Sequence, residues 1–249
     1  MATVLESVPP FDVLPASERE ILAKSAEPYV ARDQSDLASI EHLAGRLHAP
    51  ATHFYIVFDG AVQLVSPDKH LFLGYRGPLT TIGLDSAASQ RPYRYAAQAV
   101  GACAVFRVSA AELNALIEKQ TSTGFMRRLV EQAASEHDTL ARYVSWVTGA
   151  TTRRCIAAVL LAACEAFLPP STESDWRARL TSTQEQVILP KFSEASFSNL
   201  LDISPQMVSD AFADLFACRA ISREMRKRRS SLTIESPERL LEYFDKQGE

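Results

Sequence analysis

The sequence contains little cysteine, and it has no long apolar run. Its four cysteines, Cys103, Cys155, Cys164 and Cys218, lie far apart without a CxxC pair, so we expect neither a zinc or other metal site nor a disulfide framework. The longest apolar run, roughly residues 156–163, is far shorter than the ~20 residues of a membrane-spanning helix. The first residues also lack the basic segment and apolar core of a signal peptide. We therefore expect no membrane span and a cytoplasmic protein.

The catalytic motifs that can be recognised in a sequence are also missing. There is no GxSxG, HExxH, P-loop or dinucleotide-binding fingerprint. Ser135, His137 and Asp138 are close in sequence, but on one helix their side chains would point in different directions and cannot form a catalytic relay. We therefore expect no catalytic residues and no enzymatic activity.

Basic charge is scarce overall but concentrated in one segment. The net charge is −4 at pH 7, which argues against a protein that binds polyanions over its whole surface. Residues 219–229, RAISREMRKRR, nevertheless carry six basic side chains and a single acid, Glu224. Such a patch can neutralise phosphates and release their counterions. A solvated surface loop is the alternative interpretation.

The first third of the chain is typical of an antiparallel β structure. The stretch HFYIVFDGAVQLV, residues 53–65, alternates bulky apolar residues around Asp59-Gly60, a pair that predicts a hairpin turn because both turn residues take a positive φ. Further strands are predicted in KHLFLGYRG and YRYAAQAVGACAVFRV. Together they indicate a small barrel or roll.

A long helix is predicted from Phe125 to about Val147. Its apolar positions recur in steps of four and three residues, which is the heptad pattern of a coiled-coil seam. The seam comprises Met126, Val130, Ala133, His137, Leu140, Val144 and Val147. The simplest partner is the same helix of a second copy across a two-fold axis, which predicts a homodimer. Packing against the chain's own β unit is the alternative, and His137 either sets the register or has a pH or ligand role.

The last third predicts a helix-turn-helix followed by a wing. Thr148-Gly149 indicates a hinge, after which TTRRCIAAVLLAACEAF is helical and STESDWRA is a predicted loop. In LLDISPQMVSDAFADLF, Ser204 caps the second helix and Pro205 occupies its first position, where a missing N–H costs nothing. Two short strands around the basic run complete a β-wing.

This order of parts resembles the Crp-Fnr family of bacterial transcription regulators. The resemblance is carried by FYIVFDGAVQLV, the long helix, the VTG hinge, FSNLLDISPQMVSDAFADL and ISREMRKRRSSLTIESPERL. It implies an α+β fold with an N-terminal jelly-roll-like antiparallel β-roll, a long dimerisation helix and a C-terminal winged helix-turn-helix. The implied domains are a cyclic-nucleotide-binding-like sensor (residues 1–120), the dimerisation helix and hinge (121–149) and the DNA-binding domain (150–249).

The implied function is that of a dimeric regulator that reads a palindromic promoter site in double-stranded DNA, with RNA polymerase and a small-molecule effector as further candidate partners. Gln206 sits where the family places a base-reading glutamate or glutamine, and a glutamine can bond adenine N6 and N7. Asp210 would accept from cytosine N4 or turn onto a wing arginine. The candidate DNA-binding residues are Ser204, Gln206, Ser209, Asp210, Arg223, Arg226, Lys227, Arg228 and Arg229. The alternative is a dimeric small-molecule or redox sensor that acts through protein contacts without reading DNA.

The sensor domain departs from the cyclic-AMP-binding members, which hold the nucleotide with a Gly-Glu-Leu segment and an Arg-Ser or Arg-Thr pair. Here Gly83-Leu84-Asp85 and Tyr93-Arg94 stand in those places, so we expect no cyclic AMP binding and assign no cofactor. The candidate effector pocket comprises Gly83, Asp85, Arg91 and Arg94. Iron–sulfur ligation is excluded because no cysteine precedes Cys103. A haem site using His48, His53, His70 or Cys103 and oxidation of Cys218 beside Arg219 stay open as alternatives.

Overall fold

The chain divides into two units. The structure, a computed structural model, describes residues 1–32, 50–66, 71–119, 123–168, 175–183, 186–189, 194–226 and 229–248. By backbone contacts, one unit comprises Met1–Pro67 with Arg76–Leu140, and the other comprises Asp68–Tyr75 with Ala141–Glu249.

An antiparallel sheet is the main feature of residues 27–109. Its strands are β1 (Glu27–Arg32), β2 (His53–Val65), β3 (Phe72–Arg76), β4 (Thr81–Ile82) and β5 (Ala96–Ser109). The sheet order is β1-β5-β2-β3, and β4 pairs with β2. The helices within the described residues up to 147 are α1 (Ala2–Leu5), a 3-10 turn (Phe11–Val13), α2 (Ala16–Lys24), α3 (Leu84–Ala88), α4 (Ala110–Glu118) and α5 (Thr123–Val147).

The core of the first unit joins the N-terminal helices to the sheet and to the start of α5. The ring of Phe11 stacks on Phe54 of β2, with 5.4 Å between ring centroids, and lies 6.1 Å from Phe125 of α5. Leu129, one turn further along α5, is buried in the same cluster. Each fully buried large apolar side chain contributes ~1.5–3 kcal/mol, so one face of α5 is held by its own unit.

The predicted hairpin at Asp59-Gly60 is wrong. Strand β2 continues through both residues and pairs with β5 on either side, with register shifts between Val57 and Asp59 and between Asp59 and Ala61. Gly60 has φ +81°, and a Cβ there would lie 2.5 Å from the carbonyl oxygen of Ala102. The pair therefore forms a β-bulge. A bulge and a two-residue turn both call for a positive φ, so the sequence signal does not separate them.

The second unit is organised around α6 (Thr152–Phe167). Every residue from Ile156 to Cys164 of this helix is buried, as expected for a helix that is apolar all round and packed on several sides. The other elements are α7 (Trp176–Ser182), β6 (Val187–Leu189), α8 (Glu194–Leu201), α9 (Pro205–Ala217), β7 (Ile221–Arg226), β8 (Arg229–Ile234) and α10 (Pro237–Lys246). The strands form a sheet in the order β6-β8-β7. The predicted α+β class, with its antiparallel sheet, long helix and winged helix-turn-helix, is confirmed.

Part of the predicted loop STESDWRA is helical. Helix α7 begins at Trp176, and the Asp175 carboxylate caps it by accepting the N–H groups of Arg177 at 2.9 Å and Ala178 at 3.3 Å. The cap is the sequence signal that the prediction overlooked.

The end of α5 is packed into the second unit. The guanidinium of Arg142 donates to both carboxylate oxygens of Glu165 on α6, each at 2.7 Å, and lies 5.4 and 5.0 Å from the ring centroids of Trp146 and Trp176. The Tyr143 hydroxyl donates to the same carboxylate at 2.7 Å. Because this ion pair is largely buried and doubly bonded, it fixes the last turns of α5 on α6 and α7.

Candidate nucleic-acid interface and effector pocket

Helices α8 and α9 form the predicted helix-turn-helix. Asp202 in the turn has φ +51°, and the Ser204 hydroxyl caps α9 by accepting the N–H of Met207 at 3.4 Å. One face of α9 is buried in the unit through Val208, Ala211, Phe212 and Leu215. The opposite face is therefore presented to solvent, as a recognition helix requires.

The exposed face of α9 is polar but carries no basic side chain. Gln206, Ser209 and Asp210 are all exposed, and Met207 between them is 46% exposed. The amide nitrogen of Gln206 donates to a carboxylate oxygen of Asp210 at 2.8 Å. Asp210 therefore has a partner one turn earlier on the same helix. Its alternative contact with a wing arginine stays a prediction, because the side chains of Arg226, Arg228 and Arg229 lie outside the described ones.

The predicted wing is the hairpin of β7 and β8. Arg226 and Arg229 pair across its end, while Lys227 and Arg228 lie outside the described residues. The guanidinium of Arg223 on β7 donates to Glu194 of α8 at 2.7 Å and lies 5.6 Å from the ring centroid of Phe216. The wing is thus joined to both helices of the motif through one arginine.

Sequence reasoning missed two residues of this region. Arg153, in the first turn of α6, pairs with Asp214 of α9 at 2.8 Å, and both side chains are about half exposed. Glu194 holds Arg223 by the contact described above. Arg153 stands in the motif TTRRC, which was recognised only as the start of a helix.

A pocket of about 560 Å³ lies between α3 and α5 in the first unit. Of the four predicted effector residues, Asp85, Arg91 and Arg94 line it, and Gly83 does not. The apolar lining residues are Leu84, Ala88, Leu129, Val130, Ala133, Ala134 and Leu140. The structure therefore brings three of the predicted residues together in a largely apolar cavity.

Gly83 is enclosed by two tyrosines. It has φ +71°, and its N–H donates to the hydroxyl of Tyr95 at 2.8 Å in a buried position. A Cβ at Gly83 would come within 2.5 Å of the Tyr93 ring, whose hydroxyl donates to the carbonyl of His53. Burial raises the pKa of Tyr95 well above its usual range. The Tyr95 phenol therefore stays neutral, and its oxygen accepts the N–H of Gly83, the backbone amide that precedes α3.

Glu136 of α5 also lines the pocket, and sequence reasoning missed it. One of its carboxylate oxygens accepts from the amide of Gln132 at 2.9 Å and from the hydroxyl of Thr81 at 3.1 Å. Burial raises the pKa of Glu136, although the positive charge of Arg76 opposes that shift. The only sequence signal for an inward-facing Glu136 is that it follows the buried Leu129 by seven residues, or about two helical turns.

The predicted dimer seam lies beside the buried face of α5, and its exposure differs from residue to residue. Val130 is 65% exposed, Met126 is 37% exposed and the His137 side chain is 79% exposed. Ala133, Leu140, Val144 and Val147 are partly buried. The same face borders the pocket through Val130, Ala133, His137 and Leu140.

Of the residues considered for haem binding or oxidation, His53, Cys103 and Cys218 lie in the described part of the chain. No group of three His, Cys, Asp or Glu side chains there is arranged to hold a metal ion. Burial raises the pKa of the Cys103 thiol to about 12 and lowers that of His53, while His48 and His70 fall outside the described residues. Cys218 is exposed, and its thiol donates to the carbonyl of Leu215 at 3.3 Å.

None of the described helices combines the length and apolarity that a bilayer crossing requires.

Residues 46–120 match the cyclic nucleotide-binding domain family. Among solved structures, the chain is similar to FixK2 from Bradyrhizobium japonicum, with 18% identity, a TM-score of 0.59 and coverage of 88% of this chain and 96% of that one. A transcriptional regulator of the crp/fnr family from Eubacterium rectale matches with 10% identity and a TM-score of 0.57, covering 96% of this chain and 99% of that one.

A third similar structure is CLP from Xanthomonas campestris, described as a c-di-GMP responsive global regulator. It has 16% identity and a TM-score of 0.55, and covers 88% of this chain and 99% of that one. No curated protein sequence matches the chain. The domain match and the shared fold confirm the resemblance to the Crp-Fnr family that the sequence predicted.

Proposed function

We propose that this chain, which has the fold of the Crp-Fnr regulators, is a homodimeric transcription regulator that reads a palindromic site in double-stranded DNA. Residues 1–120 would be the sensor, 121–149 the dimerisation helix and hinge, and 150–249 the DNA-binding domain. The observation that carries the proposal is α9, capped by Ser204 and buried on one face, with its polar face exposed beside a basic wing.

The charge distribution supports binding to the phosphate backbone. Direct base contacts would come from Gln206 and Ser209 on α9, while Arg223, Arg226, Lys227, Arg228 and Arg229 of the wing would contact phosphates. Phosphate contacts set the position of the protein on the duplex, and side chains in the major groove read the bases. Binding should therefore weaken steeply as salt rises.

Dimerisation is supported by the exposed apolar face of α5. Val130 and Met126 are exposed there at heptad spacing, and a second α5 would cover them. A two-fold dimer presents two recognition helices, which enter successive major grooves when they lie ~34 Å apart. We propose that the protein works in the cytoplasm, where DNA and RNA polymerase are available, and has no enzymatic activity.

We further propose that the effector is not cyclic AMP. A cyclic phosphate needs free backbone amides and a cationic fork in one place, whereas the Gly83 amide is bonded to Tyr95. Arg91 and Arg94 line the pocket, but so do the carboxylates of Asp85 and Glu136, which would repel a phosphate placed between them. Any effector in the pocket would touch Val130 and Leu140, and so would bias how the dimer seam packs.

The proposal is tested by selecting bound duplexes from a random DNA pool with the full-length protein at two salt concentrations. We expect a two-fold symmetric site whose affinity falls as salt rises. Absence of any enriched sequence at low salt would overturn sequence-specific DNA binding and favour a sensor that acts through protein contacts. Calorimetric titration of the same protein with cyclic AMP should give no binding, and saturable binding would overturn the proposal on the effector.

A further inference from the structure

Two exposed side chains of the recognition helix are bonded to each other. The amide nitrogen of Gln206 donates to a carboxylate oxygen of Asp210 at 2.8 Å. The residues are four apart, so their side chains meet on the same face of α9. Both residues are exposed on the face that the proposed function directs toward the DNA.

The contact determines which way the amide of Gln206 points. An ionised carboxylate can only accept hydrogen bonds, so the nitrogen of Gln206, and not its oxygen, must face Asp210. One N–H of the amide is then engaged. The carbonyl oxygen and the second N–H stay available, so Gln206 offers DNA one acceptor and one donor.

That pair of groups matches adenine better than guanine. In the major groove adenine presents an N6 donor and an N7 acceptor, whereas guanine presents two acceptors, O6 and N7. A glutamine with one acceptor and one donor can bond both groups of adenine. Guanine would require two donors, and Asp210 already holds one of the two N–H groups of Gln206.

We propose that Asp210 is a positioning residue that makes Gln206 selective for adenine over guanine at one base pair of each half-site. This inference rests on the proposed DNA-binding function. It differs from a direct role of Asp210 on cytosine, because here the carboxylate acts only through Gln206. The segment 205–217 contains no lysine or arginine, so the Asp210 charge also repels phosphates and lowers the affinity for every sequence.

The experiment uses the full-length protein and the duplex selected by the wild type. Each base pair of the two half-sites is changed in turn, and competition binding is measured for Gln206→Ala, Asp210→Ala and the double variant. Asp202→Asn is the charge control, since Asp202 is an exposed carboxylate just before the same helix and asparagine tolerates its positive φ. Thermal unfolding of each variant checks that the fold is kept.

We expect the wild type to prefer adenine to guanine at one position by about tenfold. Asp210→Ala should reduce that preference to about twofold or less while raising the affinity for all sequences. Gln206→Ala should weaken the base preference at the same position. The double variant should have no weaker preference than Gln206→Ala alone, because the two residues act as a unit. Asp202→Asn should leave every base preference unchanged.

Two results would overturn the inference while leaving the proposed function intact. In one, Asp210→Ala relaxes a different base pair from Gln206→Ala and the effects add, which would make Asp210 a base reader in its own right. In the other, Asp210→Ala raises affinity without changing any preference. Failure of the wild type to select any sequence would instead reject the proposed function, and the inference with it.

Discussion

The proposed DNA-binding surface and the candidate effector pocket are both places where the family resemblance implies an anion, yet their charged groups differ. In the second unit the sequence of the wing contains the basic run. The Arg223 side chain is 45% exposed although it forms an ion pair with Glu194. In the first unit the Gly83 amide is used by Tyr95, and carboxylates line the cavity. Basic groups thus dominate the sequence around the wing, whereas the pocket combines two arginines with two carboxylates and a Gly83 amide that is bonded to Tyr95.

The physical settings also differ. The basic groups of the wing would meet DNA in solvent, where salt screens them. Glu136 and Tyr95 are buried enough that desolvation controls their ionisation. Changes at the DNA-facing surface should therefore appear in salt-dependent affinity. Changes in the pocket should appear in the free energy of unfolding and its pH dependence.

The largest effect is expected from Leu140→Asp, because Leu140 belongs to both the predicted seam and the pocket lining. A carboxylate on the apolar face should prevent dimerisation, and loss of the second half-site contact should weaken binding to a palindrome by ~100-fold or more. Analytical ultracentrifugation and DNA binding measure both. Ser135→Asp, on an exposed part of the same helix away from the seam, should remain dimeric. A Leu140→Asp dimer with full affinity would contradict the seam.

The next effect concerns the charge of the DNA-facing surface. Arg223→Ala should weaken binding to all sequences alike and lower the slope of log affinity against log salt by ~1. Glu194→Gln should strengthen binding to all sequences and raise that slope, because it releases Arg223 from its ion pair. Affinities of specific and random duplexes at several salt concentrations measure this. A change confined to one base pair in Arg223→Ala would contradict a phosphate contact.

A smaller effect is expected from Tyr95→Phe in the first unit. The variant removes the acceptor of the buried Gly83 N–H, and an unsatisfied buried donor costs ~1–3 kcal/mol. Chemical denaturation measures the loss in free energy of unfolding. Tyr29→Phe is the control, since the Tyr29 hydroxyl forms no hydrogen bond within the described part of the chain. Equal stability of the two variants would show that the Tyr95 contact contributes little.

The smallest effect is a pH dependence at Glu136. Burial raises its pKa in the folded state, so its stabilising contribution is present below the ordinary glutamate pKa and is lost as pH rises through the folded value. Glu136→Gln should therefore raise Tm by a few degrees at neutral pH, and the gain should vanish in acid. Glu131→Gln on the same helix should show the opposite sign, since hydrogen bonding to Arg127 lowers the pKa of Glu131. A Glu136→Gln gain that does not change with pH would contradict this account.

The sequence predicted best where one local signal decides the structure. The cap at Ser204 with Pro205 after it places the start of α9, and the heptad spacing places α5 within two residues of its observed beginning. The hairpin at Asp59-Gly60 was wrong because a bulge uses the same positive φ. In the pocket, Asp85, Arg91 and Arg94 were identified, but Glu136 was not, because its environment comes from a different part of the chain.

Apolar periodicity, helix caps and the clustering of basic residues were enough to determine the class of fold, the long helix and the winged helix-turn-helix, since these signals act between residues close in sequence. The partners of polar groups were decided only by the tertiary structure. Tyr95 reaches the amide of Gly83 across 12 residues, and Thr81 reaches Glu136 across 55. Such contacts depend on how strands and helices pack, and packing brings together residues whose spacing in the sequence carries no information about their proximity.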